Sequence, residues 1–264
     1  MPYLSLDGCD LYYETHGSGP ALVFAHGAGG NHLSWWQQVP HFRDRYTCVT
    51  FAQRGFGLSR EAEGGRGPDA FADDLAALID QLGFADVRLV AQSMGGWACL
   101  TYAVRQPDRV KALVMADTSG SLTSPECDRL IREFRAQHPR EASFAKGIHP
   151  ACGERLAREQ PALHFLYTQV SDLTTLPADL DLGAKLAALR TTTAEQVARL
   201  SLPVLCLAGE EDVVLPPAAV ELLASLIPGA RYVPVPKAGH SVYWQYPETF
   251  NRLVDGLLGD VDRG

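Results

Sequence analysis

Short runs of almost wholly apolar residues recur along this 264-residue chain. The clearest are Ala21–Ala25, Tyr46–Phe51, Val87–Ala91, Val110–Ala116 and Val204–Ala208. Continuous apolar strands are typical of a parallel sheet covered by helices on both faces, because both faces of each strand are buried. Ahead of them, Tyr3–Leu6 and Leu11–His16 alternate polar and apolar residues around a turn with glycine, which predicts an opening hairpin.

Segments with helical spacing separate the apolar runs. They are Ala70–Leu82, Met94–Arg105, Pro216–Leu226 and Pro247–Leu258. Proline is well placed in the first turn of the last two, and Gly83 follows the first. Strand and helix in alternation predict right-handed crossovers, and therefore an α/β fold with a mostly parallel, doubly wound sheet.

Residues 121–200 interrupt this alternation. No strong strand is predicted there, and helical spacing continues through Cys127–Gln137, Glu154–Thr168 and Leu182–Leu189. Prolines divide the segment at positions 139, 150, 161 and 177. We therefore expect a core of residues 1–120 and 201–264, into which residues 121–200 are inserted as a helical cap.

The strongest chemical signal is the segment Leu89–Gly96, in which an apolar strand leads through Ser93 and two glycines into a helix. This order is typical of a nucleophile elbow, a tight turn that exposes a serine hydroxyl at the end of the sheet. This turn needs a small residue two positions before the serine and another two positions after it, and here they are Ala91 and Gly95. The competing interpretation is an ordinary strand-to-helix loop with a serine N-cap.

A serine nucleophile needs a base, and the base needs a carboxylate that fixes its tautomer. His240 lies in a loop after the apolar run Arg231–Val235, and Asp212 follows the strand that precedes it. The order Ser93, Asp212, His240 is that of α/β-hydrolase triads, and each residue follows the carboxyl end of a strand. Other acidic residues compete with Asp212 for the carboxylate role: Asp117, Glu210 and Glu211.

Acyl transfer also needs hydrogen-bond donors that are already in place for the oxyanion. The backbone N–H of Met94, next to the nucleophile, is one candidate. The loop His26–Gly30, which follows an apolar strand, offers a second. Phosphate binding by this glycine-rich loop is a poorer explanation, because the loop lacks both the Walker lysine and the dinucleotide spacing.

Four blocks spread over nearly the whole chain resemble the α/β-hydrolase superfamily. They are HGAGG at 26–30, RGFGLS at 54–59, QSMGG at 92–96, and GEED with AGH near the end of the chain. The resemblance is to the capped branch of esterases, lactonases and C–C hydrolases, and it implies a Ser93, Asp212 and His240 triad with oxyanion donors at Ala28 and Met94. The chain departs from the pattern at Ala52, where the family commonly has Asp, and at Ala91, where it usually has Gly.

The resemblance implies a serine hydrolase that cleaves a small-molecule carboxylic ester or lactone without a cofactor or metal. The alternatives are a C–C hydrolase of a vinylogous diketone, a cofactor-free haloperoxidase or perhydrolase, and a hydrolase-fold small-molecule receptor. We expect the substrate pocket to lie under the cap. Its candidate lining residues are Trp35, Trp36, Phe144, His149, Phe165, Tyr167 and Trp244.

Charge and composition narrow the choice of partners. Lys plus Arg total 23 against 31 Asp plus Glu, a net charge of −8, which argues against a nucleic-acid partner. No signal peptide or membrane-spanning run is visible, so a cytoplasmic location without membrane contact is expected. The six cysteines form no CxxC pair. The sequence assigns no oligomeric state, and a homodimer is one alternative.

Overall fold

The computed structural model describes residues 2–173 and 180–263. In these ranges the strands are β1 Tyr3–Leu6, β2 Cys9–His16, β3 Ala21–Ala25, β4 Thr47–Phe51, β5 Arg60–Glu61, β6 Val87–Gln92, β7 Val110–Ala116, β8 Leu122–Thr123, β9 Thr192–Thr193, β10 Val204–Gly209 and β11 Arg231–Val235. The helices there are α1 Gln38–Phe42, α2 Phe71–Gln81, α3 Gly95–Arg105, α4 Pro125–Gln137, α5 Arg140–Phe144, α6 Gly153–Glu159, α7 Pro161–Ser171, α8 Leu182–Ala188, α9 Ala194–Val197, α10 Pro217–Leu226, α11 Val242–Gln245 and α12 Pro247–Arg263.

The main sheet has the strand order β1-β2-β4-β3-β6-β7-β10-β11, with β5 paired to β2. Strands β1 and β2 form the antiparallel hairpin, and β2 also runs antiparallel to β4. The pairs from β4 to β11 are parallel. The predicted α/β fold with a mostly parallel, doubly wound sheet is therefore confirmed.

Helices cover both faces of this sheet, because successive strand residues point to opposite sides. Val23 and Ala25 of β3 belong to the core cluster that includes residues of α2, α3 and α10. Leu22 and Phe24 belong to the cluster on the other face, which includes residues of α12. This two-sided burial explains why the strands read as continuous apolar runs in the sequence.

The segment from α4 to α8 contributes helices but no strand to the main sheet among its described residues. Ser124 caps α4 by accepting a hydrogen bond from the Cys127 N–H at 3.0 Å, and Pro125 occupies its first turn. Pro161 separates α6 from α7 within the stretch Glu154–Thr168, and Pro177 lies outside the described residues. Two-residue strands β8 and β9 pair at the base of the segment, where no strong strand was predicted. None of the described helices combines the length and apolar character needed to cross a bilayer.

Candidate active site

Ser93 lies at the tight turn between β6 and α3, with a positive φ of 48°. Its backbone N–H donates to the Ala116 carbonyl at 2.9 Å, which ties the turn to the neighbouring strand β7. A side chain at Gly95 would place its Cβ 2.2 Å from the Ala25 carbonyl oxygen, so α3 approaches β3 only because this residue is glycine. A non-glycine residue with positive φ at a cleft is the backbone strain expected of a nucleophile elbow.

The three candidate triad residues meet at this turn. His240 Nε2 lies 2.8 Å from Ser93 Oγ, and His240 Nδ1 lies 2.7 Å from Asp212 Oδ2. Asp212 and His240 are both buried. An ionised carboxylate can only accept, so Nδ1 carries the proton and Nε2 is left to accept from the serine hydroxyl. The three side chains thus have the connectivity of a Ser–His–Asp triad.

Backbone hydrogen bonds hold the acid and the base in place. Asp212 Oδ1 accepts from the N–H groups of Val214 at 2.7 Å and Leu215 at 3.0 Å, which leaves Oδ2 for the imidazole. The Gln92 side chain donates to the His240 carbonyl at 2.8 Å. Gln92, directly before Ser93, therefore positions the loop that carries His240.

The rival carboxylates occupy other environments. Glu211 forms an exposed ion pair with Arg155, and Glu210 is exposed. Asp117 is buried beside the triad, and its two oxygens accept from the Gly209 N–H at 3.0 Å and the Val242 N–H at 3.2 Å. Burial, and then the negative charge of Asp212, raise the pKa of Asp117 well above its usual value.

His26 is not placed to act as the base. Its Nε2 accepts from the Gln53 N–H at 2.9 Å, and its Nδ1 lies 2.7 Å from the Gly27 carbonyl, so both ring nitrogens are engaged by backbone. Burial lowers its pKa to about 4 even though the Gly27 bond opposes the shift. The neutral ring instead fixes the His26–Gly30 loop.

Ala28 and Met94, the candidate oxyanion donors, both line the cavity that contains Ser93. Neither backbone N–H has a hydrogen-bond acceptor within residues 2–173 and 180–263. Two unengaged N–H groups beside a serine nucleophile are what a developing oxyanion requires. A hydrogen bond holds helix α7 close to the His26–Gly30 loop: the side chain of Asn31, the next residue after the loop, donates to the Val170 carbonyl at 2.9 Å.

The cavity has a volume of about 230 Å³ and lies between the carboxyl ends of the strands and helices α4, α5, α7 and α8. Three of the seven proposed lining residues reach it: Phe144, His149 and Tyr167. Burial, and then the charges of His164 and His240, lower the pKa of His149 to about 4, so this ring is neutral at physiological pH. A cavity of this size suits a small substrate, because pockets for drug-sized ligands span roughly 300–1,000 Å³.

The other four predicted lining residues, Trp35, Trp36, Phe165 and Trp244, do not line this cavity. Trp35 is fully buried in the core among Phe24, Tyr243 and Phe250. Trp244 is also fully buried, and its Nε1 donates to the Leu163 carbonyl. Trp36 packs on Trp244 and is 46% exposed. Phe165 is 64% exposed because it lies on the outer face of α7, whereas Tyr167 points inward.

Sequence reasoning missed three arginines that line the cavity: Arg135, Arg140 and Arg190. One signal was present for Arg135. In α4 the buried residues Cys127 and Ile131 are four apart, and Arg135 continues the same stripe after four more residues. A charged residue in the inward stripe of an amphipathic helix indicates either a buried partner or a ligand. No such pattern marks Arg140 or Arg190.

Comparison with known proteins defines the class of this protein. The chain belongs to the alpha/beta hydrolase fold family, whose model matches residues 20–247. It is an enzyme of the hydrolase type, with esterase and lactonase relatives.

Three relatives illustrate the range of the family. A provisionally assigned carbamate hydrolase, RutD of Azorhizobium caulinodans, is 27% identical over 100% of both chains. The 3-oxoadipate enol-lactonase 2 of Acinetobacter baylyi is 28% identical over 94% of this chain and 92% of its own. A solved structure of a thermophilic esterase from Thermogutta terrifontis is 27% identical, with a TM-score of 0.77 over 96% of this chain and 94% of its own.

Proposed function

We propose that this protein cleaves a small-molecule carboxylic ester or lactone through an acyl-enzyme intermediate on Ser93. The observation that carries the proposal is the continuous relay from Ser93 Oγ to His240 at 2.8 Å and on to Asp212 at 2.7 Å, within a small cavity. The named activities of the three relatives, on a carbamate, an enol-lactone and an ester, all concern acyl groups, which agrees with this chemistry.

In the proposed reaction, His240 Nε2 takes the Ser93 hydroxyl proton as Oγ attacks the substrate carbonyl. The backbone N–H groups of Ala28 and Met94 bind the oxyanion, and Asp212 stabilises the imidazolium. His240 then gives the proton to the leaving alkoxide, which departs as an alcohol, or stays attached as a hydroxyl when the substrate is a lactone. Water, deprotonated by His240, attacks the acyl-enzyme and restores Ser93 with release of the acid.

The proposal is tested by hydrolysis of p-nitrophenyl acetate. We expect the wild type to hydrolyse this ester, Ser93→Ala to show only the background rate, and Ser225→Ala to match the wild type. Ser225 is an exposed serine of α10 outside the cavity, so its variant controls for the loss of a hydroxyl alone. Equal activity in Ser93→Ala and wild type would refute the assignment of the nucleophile.

A wild type that acylates but barely turns over would instead favour the C–C hydrolase or receptor alternatives. Trp244 lies in the core and not in the cavity, so its position gives no support to the C–C alternative.

A further inference from the structure

The cavity that contains Ser93 is electropositive although the chain as a whole is acidic. Its described lining includes Arg135, Arg140 and Arg190, against the single carboxylate of Asp117. That carboxylate accepts from the N–H groups of Gly209 and Val242 and forms no ion pair with an arginine. Arg135 and Arg140 are partly exposed to solvent and the side chain of Arg190 is buried, so it is the grouping of three cations around one small cavity, in a chain of net charge −8, that points to an anionic ligand.

Among the described residues, Arg135 and Arg140 have no counter-charge within bonding distance. Neither guanidinium makes an ion pair or a hydrogen bond with any residue in the described ranges, whereas many other arginines, such as Arg66, Arg109 and Arg155, are paired with carboxylates. Burial lowers the pKa of both groups, and the charges of Arg140 and Arg190 lower that of Arg135 further. Both remain charged, because a guanidinium does not lose its proton in proteins.

Arg190 is held in place but not fully satisfied. Its Nη1 donates to Asp128 at 3.0 Å, and its Cζ lies 5.9 Å from the centre of the Trp97 ring. The side chain is only 8% exposed, and its buried Nε has no acceptor among the described residues. A buried donor without an acceptor destabilises the folded protein by about 1–3 kcal/mol. A ligand that brings an acceptor to Arg190 Nε would remove this penalty.

A carboxylate fits these donors better than a phosphate does. The fork of a guanidinium matches the oxygens of a carboxylate or of a phosphate, so the backbone around the arginines decides between the two. Protein phosphate sites usually add backbone N–H groups. Here the nearby helix α8 has its first turn already capped, because Asp181 accepts from the Ala184 N–H.

We propose that Arg135, Arg140 and Arg190 bind a carboxylate of the substrate, so that this hydrolase acts on esters or lactones of acid-bearing molecules. The inference rests on the proposed function, because it assigns the substrate class of the same cavity. The arginines would orient the substrate so that its scissile carbonyl faces Ser93. They would also compensate for the repulsion between an anionic substrate and the acidic chain.

The first test compares two esters of similar length, p-nitrophenyl butyrate and mono-p-nitrophenyl succinate. We expect the wild type to prefer the charged ester in kcat/KM. Arg135→Met and Arg140→Met should each lower the ratio of kcat/KM for the charged ester to kcat/KM for the uncharged ester about tenfold. This is the effect of losing one charge-assisted hydrogen bond. A purely structural defect would lower both values together and leave the ratio unchanged.

Arg132→Met is the matched control. Arg132 is an exposed residue of the same helix α4 that does not line the cavity, so its variant removes the same charge at another place. We expect it to keep the wild-type ratio. Equal ratios in the wild type, Arg135→Met and Arg140→Met, or an equal fall in Arg132→Met, would overturn the proposal.

The second test does not depend on turnover. Glutarate and its uncharged analogue glutaramide are titrated calorimetrically into Ser93→Ala, and into Ser93→Ala with Arg140→Met. Binding of glutarate that is absent for glutaramide and weakened about tenfold or more by Arg140→Met would support the carboxylate site even if the esterase proposal failed. No binding of glutarate, or tighter binding of inorganic phosphate than of glutarate, would overturn the carboxylate assignment.

Discussion

Replacing Asp212 by Asn tests how the acid works, because the structure dictates how the new amide must lie. Oδ1 of Asp212 accepts two backbone N–H bonds, from Val214 and Leu215, and Oδ2 faces His240 Nδ1. The amide oxygen of Asn must take the Oδ1 place, since the reverse orientation would leave two N–H donors unsatisfied at about 1–3 kcal/mol each. Its NH₂ group then donates to His240 Nδ1.

This orientation reverses the tautomer of the base. With Nδ1 accepting from the amide, the proton moves to His240 Nε2, which then cannot take the hydrogen of Ser93 Oγ. We therefore expect kcat to fall by about four orders of magnitude, or about 5 kcal/mol of barrier, with little change in the melting temperature. The assay is hydrolysis of p-nitrophenyl acetate over a pH series.

The matched control is Glu211→Gln, the same chemical change one residue earlier, at a surface carboxylate paired with Arg155. We expect it to keep wild-type activity. An Asp212→Asn variant that retained more than a tenth of wild-type kcat would refute the reasoning. Asp117→Asn would then be the next variant to assay, because that carboxylate also lies beside the triad.

Three further predictions concern packing and charge. Gly95→Ala should lower the free energy of unfolding, measured in urea, by about 1–3 kcal/mol, because the new Cβ would meet the Ala25 carbonyl at 2.2 Å. Gly256→Ala, whose Cβ would meet nothing within 4 Å, should raise the same free energy by up to about 1 kcal/mol. Equal effects of the two substitutions would contradict this reasoning. Trp35→Ala should lower the free energy of unfolding by about 3–5 kcal/mol, because it removes a fully buried indole. A loss smaller than about 1 kcal/mol would mean that the neighbouring side chains collapse into the space left by the indole. The folded-state pKa of Asp117 lies above its ordinary 3.8, so its stabilising contribution is present below about pH 4 and is lost as pH rises through the folded pKa. The unfolding free energy of the wild type should therefore fall relative to Asp117→Asn over that range, and a constant difference would count against the shift.

The fold was predictable because its strands are buried on both faces. Ala21–Ala25 and Val110–Ala116 were predicted with the bounds that the structure has, since an apolar run, broken only by Lys111 in the second strand, ends where the strand leaves the core. The two-residue strands β8 and β9 were not predicted, because two residues carry no periodicity. Helix α12 continues to Arg263, beyond the predicted end at Leu258, because polar residues extend an amphipathic helix without an apolar signal.

The cavity walls were harder to predict from the sequence than the meeting of Ser93, Asp212 and His240. Ser93, Asp212 and His240 each follow a strand, and the sheet brings the strand ends together whatever the helical segment does. Phe165 and Tyr167 are two residues apart on α7 and therefore point in different directions, which only the docking of that helix decides. Aromatic character alone could not separate them, and Arg140 and Arg190 resembled ordinary surface charge, whereas the helical stripe of α4 marked only Arg135.

The central claim is that Ser93 forms a covalent acyl-enzyme, and intact-mass spectrometry after reaction with a fluorophosphonate tests it most directly. We expect one adduct per wild-type chain, formed within the time that the ester is hydrolysed, and no adduct on a folded Ser93→Ala variant. An adduct of the same mass on Ser93→Ala, or none on a folded wild type that hydrolyses esters, would contradict it.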